Sequence, residues 1–302
     1  MNFIKKTIRY WLLNNPKFNP FRISFKRIFY QLTNNTRVLP DFIIIGSGRA
    51  GTTALYSYLI QHPQIMKAYT HEKKDVADLH FFEYMISDKI GWYRAHFPTK
   101  ISKRIKELKL EKKCITGEFT STYMYNKWVP DRIKEILPNV KILVVLRNPI
   151  DKIYSTFSQQ YKFGEYLSNF EDIINSELNR MEILKENPEF LTFNDNIDSI
   201  VQHNILRHGI YHKYLKKWYE IFSKEQIMII DSEQLKNDTL NCMKNIFEFL
   251  EIDQLKIKDI SKINEGNYKK MDIETRKTLI DYFSTHNKKL NTLLKSKFIW
   301  DN

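Results

Sequence analysis

The sequence predicts an α/β domain in three layers, a central and mostly parallel sheet flanked by helices. Three observations carry this. Short continuous apolar runs, "FIIIG" at 42–46, "VKILVVL" at 140–146 and "QIMII" at 226–230, have the composition of strands buried on both faces. Each run leads into a helical pattern rather than a second strand, the order that produces parallel pairing. The first run ends in a glycine-rich turn, Gly46-Ser47-Gly48-Arg49-Ala50-Gly51-Thr52, that opens directly into a helix.

The bulk numbers agree with a folded domain. The chain has 302 residues, 42% hydrophobic and 14% aromatic, enough for one large core and too apolar for disorder. Its formal net charge of +13 points to anionic partners. Two cysteines, Cys114 and Cys242, exclude a disulfide framework or a Cys-rich zinc site and suit a reducing compartment. No run of 18 apolar residues marks a membrane span. A cytoplasmic protein is expected, with a possible attachment to a membrane face.

Residues 1–40 read as a basic arm preceding a domain over 41–302. In the arm, Phe3, Ile4, Ile8, Trp11 and Leu12 fall at helical spacing beside Lys5, Lys6 and Arg9. Such a helix either rests on an anionic membrane through residues 1–30 or packs on the domain with a solvated basic face. After the glycine turn, Leu55, Tyr58 and Leu59 share one helical face over 53–61, and His62-Pro63 ends it. "HFFEYM" and "GWYRAHFP" read as irregular aromatic segments. "CITGEFTSTYM" reads as a strand running into a loop. Further helices are expected over 131–137, 151–161, 170–185, 211–222, 239–250 and 273–294. His203, His208 and His212 read as a capped helix face rather than a metal site, and no metal is expected.

A glycine turn between strand and helix gathers backbone N–H groups into a concave nest, and the helix dipole adds positive charge there. The turn therefore reads as P-loop-like, with the N–H groups of residues 47–53 and the hydroxyls of Thr52 and Thr53 holding a phosphate. Thr52 stands where a nucleotide kinase carries its lysine, and Arg147 ends the second strand where a magnesium carboxylate is often found. Both features argue against triphosphate hydrolysis, although a P-loop-like kinase remains an alternative. "RNPIDKIYS" supplies a second anion site: Arg147 at a strand end and Ser155 two turns into the next helix. No stacking-aromatic or finger motif supports a nucleic-acid partner.

These paired segments resemble the signatures of sulfotransferases that use PAPS, 3′-phosphoadenosine 5′-phosphosulfate. "DLHFFEYM", "GEFTSTYM", "ILVVLRNP", "NEGNY" and a closing "FIW" resemble the carbohydrate branch, especially heparan sulfate sulfotransferases and bacterial relatives. The resemblance runs from about Asp41 to Trp300. It implies PAPS as co-substrate, a carbohydrate or glycolipid acceptor, and transfer of a sulfuryl group to a hydroxyl, with N-sulfation of an amino sugar as an alternative. It places Ser47, Gly48, Arg49, Ala50, Gly51, Thr52 and Thr53 at the 5′-phosphosulfate and Arg147 with Ser155 at the 3′-phosphate. Arg49 takes the position of the family's usual lysine, keeping the charge. Asp78, in place of a glutamate, becomes the first candidate base, His80 the second and Glu118 a third. Phe119 replaces a lysine found after that glutamate in some relatives. Gly266, Tyr268 and Lys269 are expected in a lid over the nucleotide.

Overall fold

The computed structural model describes residues 30–69, 78–84, 90–164, 168–186, 205–260, 270–296 and 298–300, with backbone alone over 180–186. The N-terminal helix expected within 1–30, the lid residues Gly266, Tyr268 and Lys269, and His203 lie outside these residues.

Five strands form one sheet: β1 (Phe42–Gly46), β2 (Ile65–Met66), β3 (Ile115–Phe119), β4 (Lys141–Leu146) and β5 (Ile227–Asp231). Their order is β2-β3-β1-β4-β5 and every pairing is parallel. The helices, in chain order, are α1 (Thr52–Leu59), α2 (Ile90–Arg94), α3 (Lys100–Leu110), α4 (Val129–Ile136), α5 (Pro149–Lys162), α6 (Phe170–Glu186), α7 (Tyr211–Ile221), α8 (Ser232–Asn237), α9 (Thr239–Phe249) and α10 (Ile273–Leu294).

Strand residues alternate between two apolar layers because successive side chains leave a strand on opposite faces. Phe42, Ile44, Leu143 and Val145 pack with Leu55 and Leu59 of α1 and with Met243, Ile246 and Phe247 of α9. Ile43, Ile45, Ile142 and Val144 pack with Ile133 of α4, Leu215 and Trp218 of α7 and Leu290 of α10. A third cluster joins Ile150, Ile153 and Phe157 of α5 to Phe170 and Ile174 of α6 and to Leu279 and Phe283 of α10. The three layers and the parallel sheet therefore match the sequence expectation. The apolar runs were continuous because both faces of β1 and β4 are covered.

Four elements, α8 among them, are not among those expected from the sequence. β2 is two residues long, too short for a pattern. α2 occupies part of the segment read as irregular. α3 has no buried residue, so it lacks the inward apolar stripe that identifies a surface helix.

The topology decides where a ligand can sit. β1 connects towards β2 and β3 on one side, while β4 lies on its other side, so the chain changes direction across β1. Open α/β sheets bind ligands outside the carboxyl ends of strands at such a switch. The loops leaving β1, β3 and β4 meet there.

Candidate active site

The loop leaving β1 is shaped by two residues in left-handed backbone. Gly51 has φ 102° and caps α1, a conformation that costs a side-chain-bearing residue about 1–2 kcal/mol. Arg49 has φ 68° without being glycine, the kind of local strain that persists where a functional geometry requires it. Two N–H groups of the loop are committed within the fold. Ser47 donates to Val145 O at 2.7 Å and Ala50 donates to Ser47 O at 3.2 Å. Ser47 is also fully buried. The expectation that Ser47 and Ala50 present N–H groups to a phosphate is therefore corrected: both secure the loop to its own backbone. Gly51, Thr52 and Thr53 begin the helix, where N–H groups lack a carbonyl one turn earlier. Thr52 is buried and Thr53 exposed, so Thr53 carries the outward hydroxyl.

The two predicted anion sites are in direct contact. Arg49 Nε donates to Ser155 Oγ at 3.1 Å. Arg147 Nη1 donates to Arg49 O at 3.2 Å. α5 is aimed at the loop by its start: Asn148 Oδ1 accepts the Ile150 N–H at 3.0 Å and Pro149 fixes the first turn. Tyr211 of α7 donates its hydroxyl to Arg147 O at 2.9 Å. Asp151, one turn into α5, pairs with Arg276 of α10 at 2.9 Å. Among the described residues no carboxylate lies within ion-pair distance of Arg147. Ser155 is only 2% exposed, so the expectation of an open hydroxyl clamp is corrected: the accessible member of the pair is Arg147, and Ser155 holds the Arg49 side chain.

Beyond Arg147, α5 buries Lys152. Its Nζ donates to His208 O at 3.3 Å and stands 4.9 Å from the Tyr125 ring centroid. Burial pushes this amine down to about 7. The His208 ring packs on Tyr125, and burial pushes it down to about 3, so it is neutral at ordinary pH. His212 lies apart, against His286 of α10.

The third loop brings the candidate bases to the same edge. A Cβ on Gly48 would meet Ser121 Oγ at 3.6 Å, so the β3 exit runs along the glycine loop. Thr120 Oγ1 accepts the N–H groups of Leu79 and His80 at 3.2 and 3.3 Å, and Thr122 Oγ1 lies 3.3 Å from His80 Nδ1. His80 has φ 52°, which turns its ring between two carboxylates: Asp78 Oδ1 at 3.3 Å from Nε2 and Glu83 Oε2 at 2.7 Å from Nδ1. Burial pushes the imidazole down, but the hydrogen bonds and charges of Asp78 and Glu83 outweigh it and hold it up at about 10. His80 is thus a cation at neutral pH with both nitrogens engaged, and the expectation that it acts as a base is corrected. Glu83, which the sequence analysis did not single out, is the nearer of its two carboxylate partners. Asp78 is 37% exposed at its side chain and is the carboxylate with access to solvent.

Glu118 is corrected as well. It is fully buried on β3, with Oε1 accepting Tyr93 OH at 2.8 Å and Tyr123 OH at 3.4 Å, and Oε2 accepting Thr120 Oγ1 at 2.9 Å. It cannot touch an acceptor. Its function is to fix Thr120, which in turn holds the backbone of Leu79 and His80. Burial pushes its carboxyl up to about 8, against the hydrogen bonds from Tyr93 and Thr120. The folded carboxyl therefore holds its proton more tightly than the unfolded one. The resulting stability is complete below about pH 4.5 and is lost as pH rises through about 8. Glu118→Gln should flatten this dependence: its melting temperature should fall by several degrees less than that of the wild type between about pH 5 and 8. Equal slopes in a calorimetric pH series would show that Glu118 is ionised in the folded protein.

A strand–glycine loop–helix junction, a guanidinium with no carboxylate partner among the described residues and an exposed carboxylate meet at one sheet edge of a P-loop-like α/β fold. The family is given by sequence: residues 39–295 match the model described as "Sulfotransferase domain", so the chain belongs to that family. It is 28% identical over 288 residues to the mouse bifunctional heparan sulfate N-deacetylase/N-sulfotransferase 4, covering 85% of this chain and 30% of the relative. It is 26% identical to the membrane-associated sulfotransferase kil1 of Dictyostelium discoideum, covering 87% and 67%. The chain therefore spans about a third of the length of the bifunctional relative. A sulfotransferase crystal structure from Alicyclobacillus acidocaldarius superposes with a TM-score of 0.63 at 20% identity, covering 88% of this chain and all of that one, which supports the fold.

Proposed function

We propose that this protein transfers a sulfuryl group from PAPS to a hydroxyl of a carbohydrate or glycoconjugate, releasing PAP. The observation that carries the reading is Arg147. It is a half-buried guanidinium with no carboxylate partner among the described residues, bonded to the backbone of the glycine loop at Arg49. One anion site thus adjoins another, as a nucleotide phosphorylated at both 3′ and 5′ positions requires. The donor set fits that ligand: helix-start N–H groups with Thr53 at one end, Arg147 at the other and Arg49 between them. PAPS supplies the activated sulfuryl group. The chain orients it, compensates charge through Arg49, and takes the acceptor proton on Asp78.

The acceptor class follows the bifunctional relative, whose name specifies heparan sulfate. That name also specifies N-sulfotransferase activity, so an amino-sugar nitrogen is the second acceptor to assay. A cytoplasmic location fits Cys114 and Cys242, which are buried and separate thiols. No helix among the described residues is long and apolar enough to cross a membrane.

Calorimetric titration with PAP, AMP and ATP tests the reading. PAP should bind more tightly than AMP. Arg147→Ala should weaken PAP by about 10- to 100-fold, the value of one charge-assisted hydrogen bond, and leave AMP nearly unchanged. Equal affinity for PAP and AMP would remove the two-phosphate ligand. Magnesium-dependent hydrolysis of ATP would favour the kinase alternative.

A further inference from the structure

α3 is patterned inside out. Its charged residues hold it to the domain: Lys103 pairs with Asp41 at 3.8 Å, Lys106 Nζ donates to Ile65 O at 3.5 Å, and Glu107 Oε1 accepts the Cys114 N–H at 3.2 Å. Its aliphatic residues face solvent. Ile101, Ile105 and Leu108 are 70%, 50% and 62% exposed and follow one another at four- and three-residue spacing, so they form one outward stripe. Lys100, Arg104, Lys109 and Lys112 are exposed around that stripe. The helix is built as a unit, with Thr99 Oγ1 capping its start by accepting the Ser102 N–H at 3.0 Å.

We propose that this face of α3 docks on an anionic lipid bilayer. An apolar stripe ringed by lysine and arginine is the composition of an interfacial helix, whose aliphatic residues enter the headgroup boundary while its cations meet lipid phosphates. The shape agrees, because the stripe runs along a convex helical ridge that a deformable surface can surround. A second copy of the chain fits poorly, since a twofold contact would bring the same cations together. A purely ionic partner leaves Ile101, Ile105 and Leu108 without a role.

The position of α3 makes such docking compatible with the proposed activity without depending on it. Asp41 precedes β1 and Ile65 begins β2, so α3 lies at the sheet edge opposite the glycine loop. With α3 on a membrane, the nucleotide site faces the aqueous phase. The basic arm also joins the described structure near the start of α3. The Tyr30 ring stacks on Tyr69 at 4.9 Å, Arg37 lies over Tyr30 at 4.4 Å, and Arg37 bridges to Thr99.

The test is co-sedimentation of the full chain with vesicles of phosphatidylcholine alone and of phosphatidylcholine mixed with phosphatidylglycerol. The wild type should bind the mixed vesicles and not the neutral ones. Ile105→Asp with Leu108→Asp should weaken that binding on the order of tenfold or more, and Lys100→Glu with Arg104→Glu and Lys109→Glu should do the same. Both variants should keep the wild-type affinity for PAP and its melting temperature, since none of these side chains is buried. The proposal is overturned if the wild type ignores mixed vesicles, or if the Ile105/Leu108 variant binds them as the wild type does. Loss of PAP binding in the wild type would instead count against the sulfuryl-transfer reading and leave the vesicle result standing.

Discussion

Asp78→Asn is expected to lower kcat by about 10²- to 10⁴-fold, the range for loss of a positioned general base, while PAP affinity stays within a few fold of wild type. The expectation rests on a comparison of three carboxylates. Glu118 is enclosed by Tyr93, Tyr123 and Thr120 and reaches no acceptor. Glu83 is 9% exposed at its side chain and holds His80 Nδ1 at 2.7 Å. Asp78 keeps an open side and shares only the longer His80 contact, at 3.3 Å. Asparagine preserves its size and can still approach His80 but accepts no proton, so the change tests chemistry rather than packing. The His80 cation should aid the aspartate by orienting it. Glu83→Gln, which removes the nearer of the two ion-pair partners and leaves Asp78 in place, should therefore reduce turnover less than Asp78→Asn. Single-turnover kinetics with saturating PAPS separates these effects from product release. Unchanged kcat in Asp78→Asn would move the base elsewhere.

The sheet was legible because β1 and β4 are buried on both faces and so carry apolar runs without polar alternation, while β5, an edge strand that is only partly buried, still reads as an apolar run through Ile230. The glycine turn and the place of Arg147 beside it were legible because a tight strand-to-helix turn needs glycine and Arg147 directly follows an apolar strand. What the sequence could not display is pairing across loops. Glu83 and His80 are three residues apart outside any long helix, and their contact depends on a left-handed His80 that no residue-type rule predicts. The burial of Glu118 required the hydroxyls of Tyr93 and Tyr123, which arrive from separate segments. α3 was missed because its apolar residues point outward, yet Thr99 as a cap, followed by Ile101, Ile105 and Leu108, was a usable signal.

Arg49→Ala should lower kcat by about 10²- to 10³-fold, comparable to losing one preorganised donor at a developing negative charge. Three structural details shape this expectation. The contact that positions Arg147 uses the backbone carbonyl of Arg49, so the alanine variant keeps it. The second anion site should then survive, and PAP affinity should fall only about tenfold. Arg49 occupies left-handed backbone, where alanine costs no more than arginine, so the fold should persist. The Arg49 Nε bond to Ser155 joins the side chain to α5, which limits where the guanidinium can travel. Ser155→Ala should therefore release Arg49 without removing its charge and give a smaller loss than Arg49→Ala. Arg49→Lys should restore part of the rate, because a lysine keeps the charge but lacks the planar fork that reaches Ser155 and a phosphate together. The measurement is kcat and PAP affinity for all three variants beside their melting temperatures. Full turnover in Arg49→Ala would remove this side chain from the chemistry and leave the loop as a binding element alone.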